Sequence, residues 1–151
     1  MVILLPIKSN INILVLAMSL LAGAAIAAEE TNGYTVNLGT NDTLGSYLVN
    51  QTGFALYYFD NDAPGNGSSN CTGRCSEIWP SFYAEKISVP EGLLASDFTN
   101  VTRTDGIEQT AYQGWPLYLY SLDKEPGDIF GQGVNDVWFI INTTYFPPMK
   151  P

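Results

Sequence analysis

The sequence predicts an all-β fold, a compact small barrel or sandwich built from two homologous β-repeats with pseudo-two-fold symmetry. Three observations lead to this prediction. Short runs rich in β-branched and aromatic residues alternate with Asn, Asp, Gly and Pro along the chain, which is typical of strands joined by tight turns. One strand–turn–strand pattern occurs twice, and only residues 90–98 have a weakly helical composition.

The predicted strands share this composition and follow one another closely. In chain order they cover residues 34–38, 46–49, 54–59, 109–112, 117–121 and 138–142. The Asp105-Gly106 dipeptide predicts a type I′ hairpin that joins residues 101–104 to residues 107–112. Pro90 stands where a short helical turn could begin.

The internal repeat is the strongest signal in the sequence. Residues 53–62 align with residues 114–123, and both copies read Gly-aromatic-small-Leu-Tyr-x-aromatic-x-x-Asp. A Pro-Gly turn follows each copy, and further along Trp79 aligns with Trp138. Two equivalent units, neither of which can bury an aromatic face alone, are expected to pack against one another.

Alternation along the repeated strands assigns their side chains to two faces. Tyr57 and Phe59 share one face and Leu56 and Tyr58 the other, and the second copy repeats this with Tyr118 and Tyr120 against Leu117 and Leu119. Both faces are apolar, as in a strand covered on both sides. Core packing therefore accounts for these rings and for the three tryptophans, Trp79, Trp115 and Trp138. Asp62 and Asp123 are expected to hold the turns by bonding backbone N–H groups or a tyrosine hydroxyl.

Composition excludes several classes of function. The 151 residues suit one domain, and they include no histidine, so a Ser-His-Asp triad, a Cys-His nucleophile and a His-ligated zinc are all excluded. A net charge of −9 argues against nucleic acid as a partner.

The N-terminal segment is typical of an export signal. Lys8 precedes an apolar run over residues 13–28 that ends in small residues, which predicts a signal peptide over residues 1–27. We expect an N-terminal segment with one short strand over 28–43, a single β domain over 44–145 and a tail over 146–151. Repeat 1 covers about 44–86 and repeat 2 about 101–145. A retained anchor is the alternative; with the signal removed, the chain is not expected to be an integral membrane protein.

Two further features agree with a secreted or cell-surface location. Cys71 and Cys75 are the only cysteines and are expected to form one disulfide around a small loop. Asn-x-Ser/Thr sequons are frequent and are either surface glycosylation sites or products of a Thr/Asn-rich β surface; they begin at Asn41, Asn50, Asn66, Asn70, Asn100 and Asn142.

The Tyr57-x-Phe59-x-x-Asp62 and Tyr118-x-Tyr120-x-x-Asp123 motifs resemble the signature of the secreted lipoprotein repeat family. The resemblance covers about residues 44–142 and includes the cysteine loop and the approach to Trp138. It implies an exported protein of a family without an established biochemical activity. Many members carry a lipidated cysteine after the signal, which this chain lacks.

Three interpretations of function follow. The first is a non-enzymatic envelope or secreted binding module for an envelope component or a glycan, without a cofactor; in one version Asp60, Asp62, Asp123 and Asp128 bind Ca²⁺. The second is a glycan hydrolase that uses Asp62 and Asp123 as its two carboxylates. The third is a structural or adhesive surface subunit, which needs no site.

Overall fold

The computed structural model describes residues 33–65, 67–144 and 146, so the predicted signal peptide, Asn66 and most of the predicted tail lie outside it. The described chain consists mainly of short strands, which confirms the all-β class. In chain order the elements are β1 Val36–Asn41, β2 Gly45–Asn50, β3 Tyr57–Phe59, α1 Arg74–Ile78, β4 Phe98–Thr102, β5 Glu108–Tyr112, β6 Trp115–Pro116 and β7 Trp138–Ile140. Single 3₁₀ turns lie at Ala95–Asp97 and Val134–Asp136.

The strands form three small antiparallel sheets, ordered β1-β2, β3-β7 and β4-β5-β6. β1 belongs to the predicted N-terminal segment and pairs along its whole length with the first strand of repeat 1. Single bridges, such as Tyr47–Asn142 and Ser81–Tyr118, connect the sheets. Across the described ranges the sheets do not close, so the barrel alternative is wrong.

The backbone hydrogen bonds repeat from one half of the molecule to the other. The Asp60 N–H donates to the Val137 carbonyl at 2.8 Å, and the equivalent Ser121 N–H donates to the Ile78 carbonyl at 2.9 Å. In both cases the residue three positions after the motif tyrosine of one repeat donates to the residue just before the tryptophan of the other repeat. The two repeats are therefore interlocked about a pseudo-two-fold axis.

The two faces of the motif strands lead to two separate cores, as predicted. One core contains Tyr57, Tyr118 and the tryptophans of both repeats. The other contains Leu56 and Leu117 with Leu48 and Ile141, packed against Tyr58 and Leu119. At roughly 25 cal/mol per Å², burial of these apolar side chains is the main stabilising contribution to the fold.

The predicted strand 117–121 is not a regular ladder. The Leu117 N–H bonds to Thr110, the Tyr118 N–H to Tyr57 and the Leu119 N–H to Pro80, at 2.8 to 2.9 Å. Because the partner changes at each of these residues, no strand lies alongside the segment for more than one bridge.

The segment predicted as weakly helical contains one short turn, and the α-helix lies elsewhere. Residues 90–98 contain only the 3₁₀ turn Ala95–Asp97, since the Leu93 N–H bonds back to Pro90 and Gly92 has a φ of +95°. The short helix α1 instead follows the cysteine loop and ends at Trp79, whose N–H bonds to the Cys75 carbonyl at 2.8 Å. Its five residues are too few for a periodic sequence pattern.

The type I′ turn is also displaced. Gly106 has a φ of +82°. Asp105 lacks the positive φ that a type I′ turn also requires, because the non-glycine residues with positive φ in the described chain are Gln113, Asn135 and Asp136. The Asp-Gly hairpin is therefore a longer loop with a left-handed glycine. Gln113 and Gly114, with φ of +48° and +85°, form the two-residue type I′ turn between β5 and β6.

Candidate functional site

The motif tyrosines meet on the pseudo-two-fold axis. Tyr57 and Tyr118 are equivalent residues of the two repeats, and each donates its backbone N–H to the carbonyl of the other at 2.9 Å. Neither tyrosine side chain is exposed to solvent. The two motifs are thereby brought side by side at the centre of the molecule.

The hydroxyls of these tyrosines cross to the aspartates of the opposite repeat. Tyr57 donates to Asp123 Oδ2 at 2.7 Å, and Tyr118 donates to Asp62 Oδ2 at 2.5 Å. The second oxygen of each carboxylate accepts a backbone N–H from its own repeat: Asn70 to Asp62 at 2.7 Å and Phe130 to Asp123 at 3.0 Å. Each aspartate thus closes the loop that follows it and fixes the position of the other repeat's tyrosine.

Burial determines the protonation behaviour of this site. Desolvation raises the pKa of Asp62 and of Asp123 above the ordinary value, and the tyrosine and backbone hydrogen bonds oppose that rise. Burial, together with the carboxylate beside each hydroxyl, raises the pKa of Tyr57 and of Tyr118. The tyrosines therefore stay protonated at neutral pH and act as donors.

The crosswise pairing predicts which residues are energetically coupled. In a double-mutant cycle, Tyr57→Phe and Asp123→Asn should show a coupling energy of about 1–2 kcal/mol, because Tyr57→Phe removes the donor of this buried hydrogen bond and Asp123→Asn removes the charge of its acceptor. Tyr57→Phe with Asp62→Asn, two residues of one motif that share no hydrogen bond, should couple by less than about 0.5 kcal/mol. Urea unfolding of the three single variants, the two double variants and the wild type measures both values. Strong coupling within a motif and none across would contradict the crossed arrangement.

An aromatic column continues from the crossed pairs. The Trp79 and Trp138 rings stack with centroids 3.8 Å apart and an interplanar angle of 2°. Phe59 stacks on Trp138, and Tyr120 stacks on Trp79, each at 4.2 Å. Both outer rings therefore pack on a tryptophan from the opposite repeat. Trp115 is fully buried but lies outside the column, edge-on to Tyr58 at 5.1 Å.

The cysteine loop joins the site in repeat 1. Cys71 and Cys75 form the expected disulfide. The Cys71 N–H donates to Ser69 Oγ at 3.0 Å, and Ser69 Oγ lies 2.5 Å from the Tyr118 hydroxyl. In repeat 2 no disulfide is present among the described residues, and the Gly131 N–H donates directly to the Tyr57 hydroxyl at 3.3 Å.

Arg103 is a structural residue that the sequence analysis missed. Its guanidinium is buried and donates to the Cys71 carbonyl at 2.9 Å, to Asp105 Oδ2 at 2.7 Å and to Ser81 Oγ at 3.1 Å. Its positive charge opposes the rise in the pKa of Asp62. Only its place directly before the Asp-Gly turn could have drawn attention to it, because buried arginine leaves no composition signal.

The structure does not bring the four acidic calcium candidates together. Asp62 and Asp123 are engaged as described, and Asp128 Oδ2 accepts the N–H groups of Lys124 and Glu125 at 2.8 and 2.9 Å. Among the residues that the structure describes, no three acidic or cysteine side chains are grouped to hold a metal ion. The two carboxylates of the hydrolase hypothesis are Asp62 and Asp123, and both are buried within the core.

Most described sequon asparagines have a structural role. Asn41, Asn50 and Asn142 each accept, through Oδ1, the N–H of the threonine two residues later, at 2.8 to 3.0 Å. These are Asx-turns, for which the Asn-x-Thr order is well suited. The Nδ2 groups of Asn70, Asn100 and Asn142 donate to backbone carbonyls. Glycosylation stays a prediction, and Asn66 lies outside the described residues.

No helix in the described chain is long and apolar enough to cross a bilayer.

Comparison with known proteins agrees with the duplication. A family model described as a secreted repeat of unknown function matches residues 40–82 and residues 99–142. Each match begins in the second strand before a motif, β1 or β4, and ends after the tryptophan segment, so both structural repeats are covered. No curated protein and no solved structure showed a significant match.

Proposed function

The chain belongs to the family of secreted repeats of unknown function, and we propose on that premise that it is a non-catalytic extracytoplasmic binding module. Its family places it outside the cytoplasm. In the proposal, the family signature builds the scaffold, and the surface loops that this scaffold holds recognise an envelope component.

The observation that supports the proposal is that both motif aspartates are fully engaged in hydrogen bonds. Every oxygen of Asp62 and Asp123 accepts a hydrogen bond from a tyrosine hydroxyl or a backbone N–H. A general acid or base must reach a substrate proton directly or through one water. Carboxylates that hold the core together are poorly placed for that task and well placed for a structural one.

A rigid core with exposed loops suits recognition. Binding residues are found disproportionately on loops that a stiff scaffold positions. Here the crossed hydrogen bonds, the stacked rings and the disulfide form such a scaffold. The scaffold therefore supplies the rigidity that a binding surface needs, and in the proposal Asp62 and Asp123 have a structural role and no catalytic one.

Co-sedimentation tests the proposal. We expect the purified protein to sediment with insoluble envelope fragments of the producing organism and to release no reducing sugar from them. Asp62→Asn, assayed below its unfolding transition, should sediment to the same extent. Protein that stays in the supernatant would contradict the binding role. Release of reducing ends that Asp62→Asn abolishes would replace it with the hydrolase.

A further inference from the structure

A surface groove lies on the repeat-1 side of the molecule, away from the crossed tyrosine–aspartate pairs. It has a volume of about 520 Å³ and is lined by Thr35, Asn50, Gln51, Tyr83, Glu85 and Lys86, among others. This volume lies within the range of small-molecule sites, about 300–1,000 Å³.

Both walls of the groove are held in place from behind. On one side, Asn50 Oδ1 accepts the N–H groups of Thr52 and Phe54 at 3.0 and 2.9 Å and fixes the 50–54 loop. On the other, the Ala84 N–H donates to Thr110 Oγ1 at 3.0 Å, and the Ala84 carbonyl accepts from Asn100 at 2.8 Å. Such a preformed groove loses little conformational entropy when a ligand binds.

Four polar side chains of the groove are not used internally. The side chains of Gln51, Tyr83, Glu85 and Lys86 make no hydrogen bond to other described residues, and all four residues are exposed. The turn glutamine of repeat 2 behaves differently: Gln113 Nε2 donates to Asp97 Oδ2 at 3.2 Å and to the Tyr112 hydroxyl at 3.3 Å. The side-chain amide of Gln51 is therefore available for a ligand, whereas that of Gln113 is engaged.

The charges of the groove indicate the class of ligand. Glu85 and Lys86 balance each other, while the whole chain carries a net charge of −9, which repels polyanions. The remaining groups are an amide, hydroxyls and one exposed tyrosine ring, which supply donors, acceptors and an amphipathic face. This combination complements a neutral, polyhydroxylated molecule.

We propose that this groove is a binding site for a neutral saccharide chain, with the Tyr83 ring under one sugar and Gln51 and Glu85 bonded to its hydroxyls. The assignment rests on the proposed binding function and names its site and its ligand class. Repeat 1 alone carries the site, so the duplicated halves have different roles: repeat 2 completes the core, and repeat 1 also recognises the ligand.

Calorimetric titration with defined tetrasaccharides tests the assignment. The probes are neutral glucose, mannose and N-acetylglucosamine tetrasaccharides, with a galacturonic acid tetrasaccharide and a neutral tetrapeptide as comparisons. Asn50 is also a sequon, so protein from a host without N-glycosylation is used. At least one neutral tetrasaccharide should bind, and Tyr83→Ala and Gln51→Ala should each weaken it about tenfold or more. Phe130→Ala, which removes another exposed ring outside the groove, should bind as the wild type does.

Each other outcome overturns the assignment. No binding of any neutral tetrasaccharide, tighter binding of the anionic probe or the peptide, or full binding by both groove variants would each contradict it. The envelope sedimentation assay distinguishes failure of the groove assignment from failure of the proposed binding function. If the wild type and Tyr83→Ala sediment equally, the groove is not the site but the binding role stands; if the wild type does not sediment, the binding role itself is wrong.

Discussion

Either repeat expressed alone, as residues 33–86 or residues 99–146, is expected to remain unfolded, and an equimolar mixture of the two is expected to fold. Each motif strand takes its backbone partners from the tryptophan segment of the other repeat. Each motif tyrosine also takes its carboxylate acceptor from across the axis. A chain of about 50 residues is only marginally stable even with an intact hydrophobic core. A single repeat keeps only half of the core of this protein.

Circular dichroism and tryptophan fluorescence check this expectation. The separate fragments should lack near-ultraviolet signal, and the mixture should recover the spectrum of the whole chain. A single fragment is expected to pair less well with a second copy of itself than with the other repeat. Gly131 of repeat 2 takes the place that Cys71 has in repeat 1, and a Cβ added at Gly131 would lie 2.7 Å from the Tyr57 ring. A monomeric repeat with a cooperative unfolding transition would contradict the interlocked arrangement.

The repeat and the two faces of its strands could be predicted from sequence because both depend on local periodicity. Tyr57 and Phe59 are two residues apart, so they must share a face in any extended strand. The crossed hydrogen bonds could not be predicted in the same way. A tyrosine five residues before an aspartate is compatible with a bond inside the repeat and equally with one across the axis, and only the packing of the two halves decides between them.

The incorrect turn predictions also arose where contacts between distant parts of the chain decide the local structure. The Asp105-Gly106 pair has the composition of a type I′ turn, yet Arg103 beside it is buried and bonded to the cysteine loop. Gln113, which a composition rule would not select, adopts the positive φ instead. Tertiary contacts therefore overrode local turn preference at both hairpins. α1 could not be predicted, because its five residues are too few for a periodic sequence pattern.

The spacing of the signature now has a physical explanation. The tyrosine crosses to the other repeat, the aromatic residue two positions later stacks on the other repeat's tryptophan, and the aspartate closes the following loop while accepting the returning hydroxyl. Every motif residue of one repeat thus has a partner in the other. A motif of this kind marks an interface between repeats, which explains why the aspartate stands beside aromatic residues.

Trp138→Ala and Trp79→Ala are each expected to be strongly destabilising, at about 3–5 kcal/mol. Each removes a buried ring from the centre of the column, where the two indoles stack at 3.8 Å and each also carries an outer ring at 4.2 Å. Because the two tryptophans contact each other, the double variant should lose less than the sum by about 0.5–1.5 kcal/mol.

Trp115→Ala provides the matched control for that cycle. Trp115 is as deeply buried but packs on Tyr58, outside the column, so its loss should cost a similar free energy of unfolding and add to that of Trp79→Ala without coupling. Far-ultraviolet circular dichroism supplies a second measurement, because two closely stacked indoles couple through their strong far-ultraviolet transition and produce an exciton signal that either column variant abolishes and Trp115→Ala retains. Additive losses for Trp79 and Trp138, with the exciton signal absent from the wild type, would show that the rings are buried separately. The repeats would then be held together by their backbone bonds, and the aromatic residue of the motif would have no reason to lie two positions after its tyrosine.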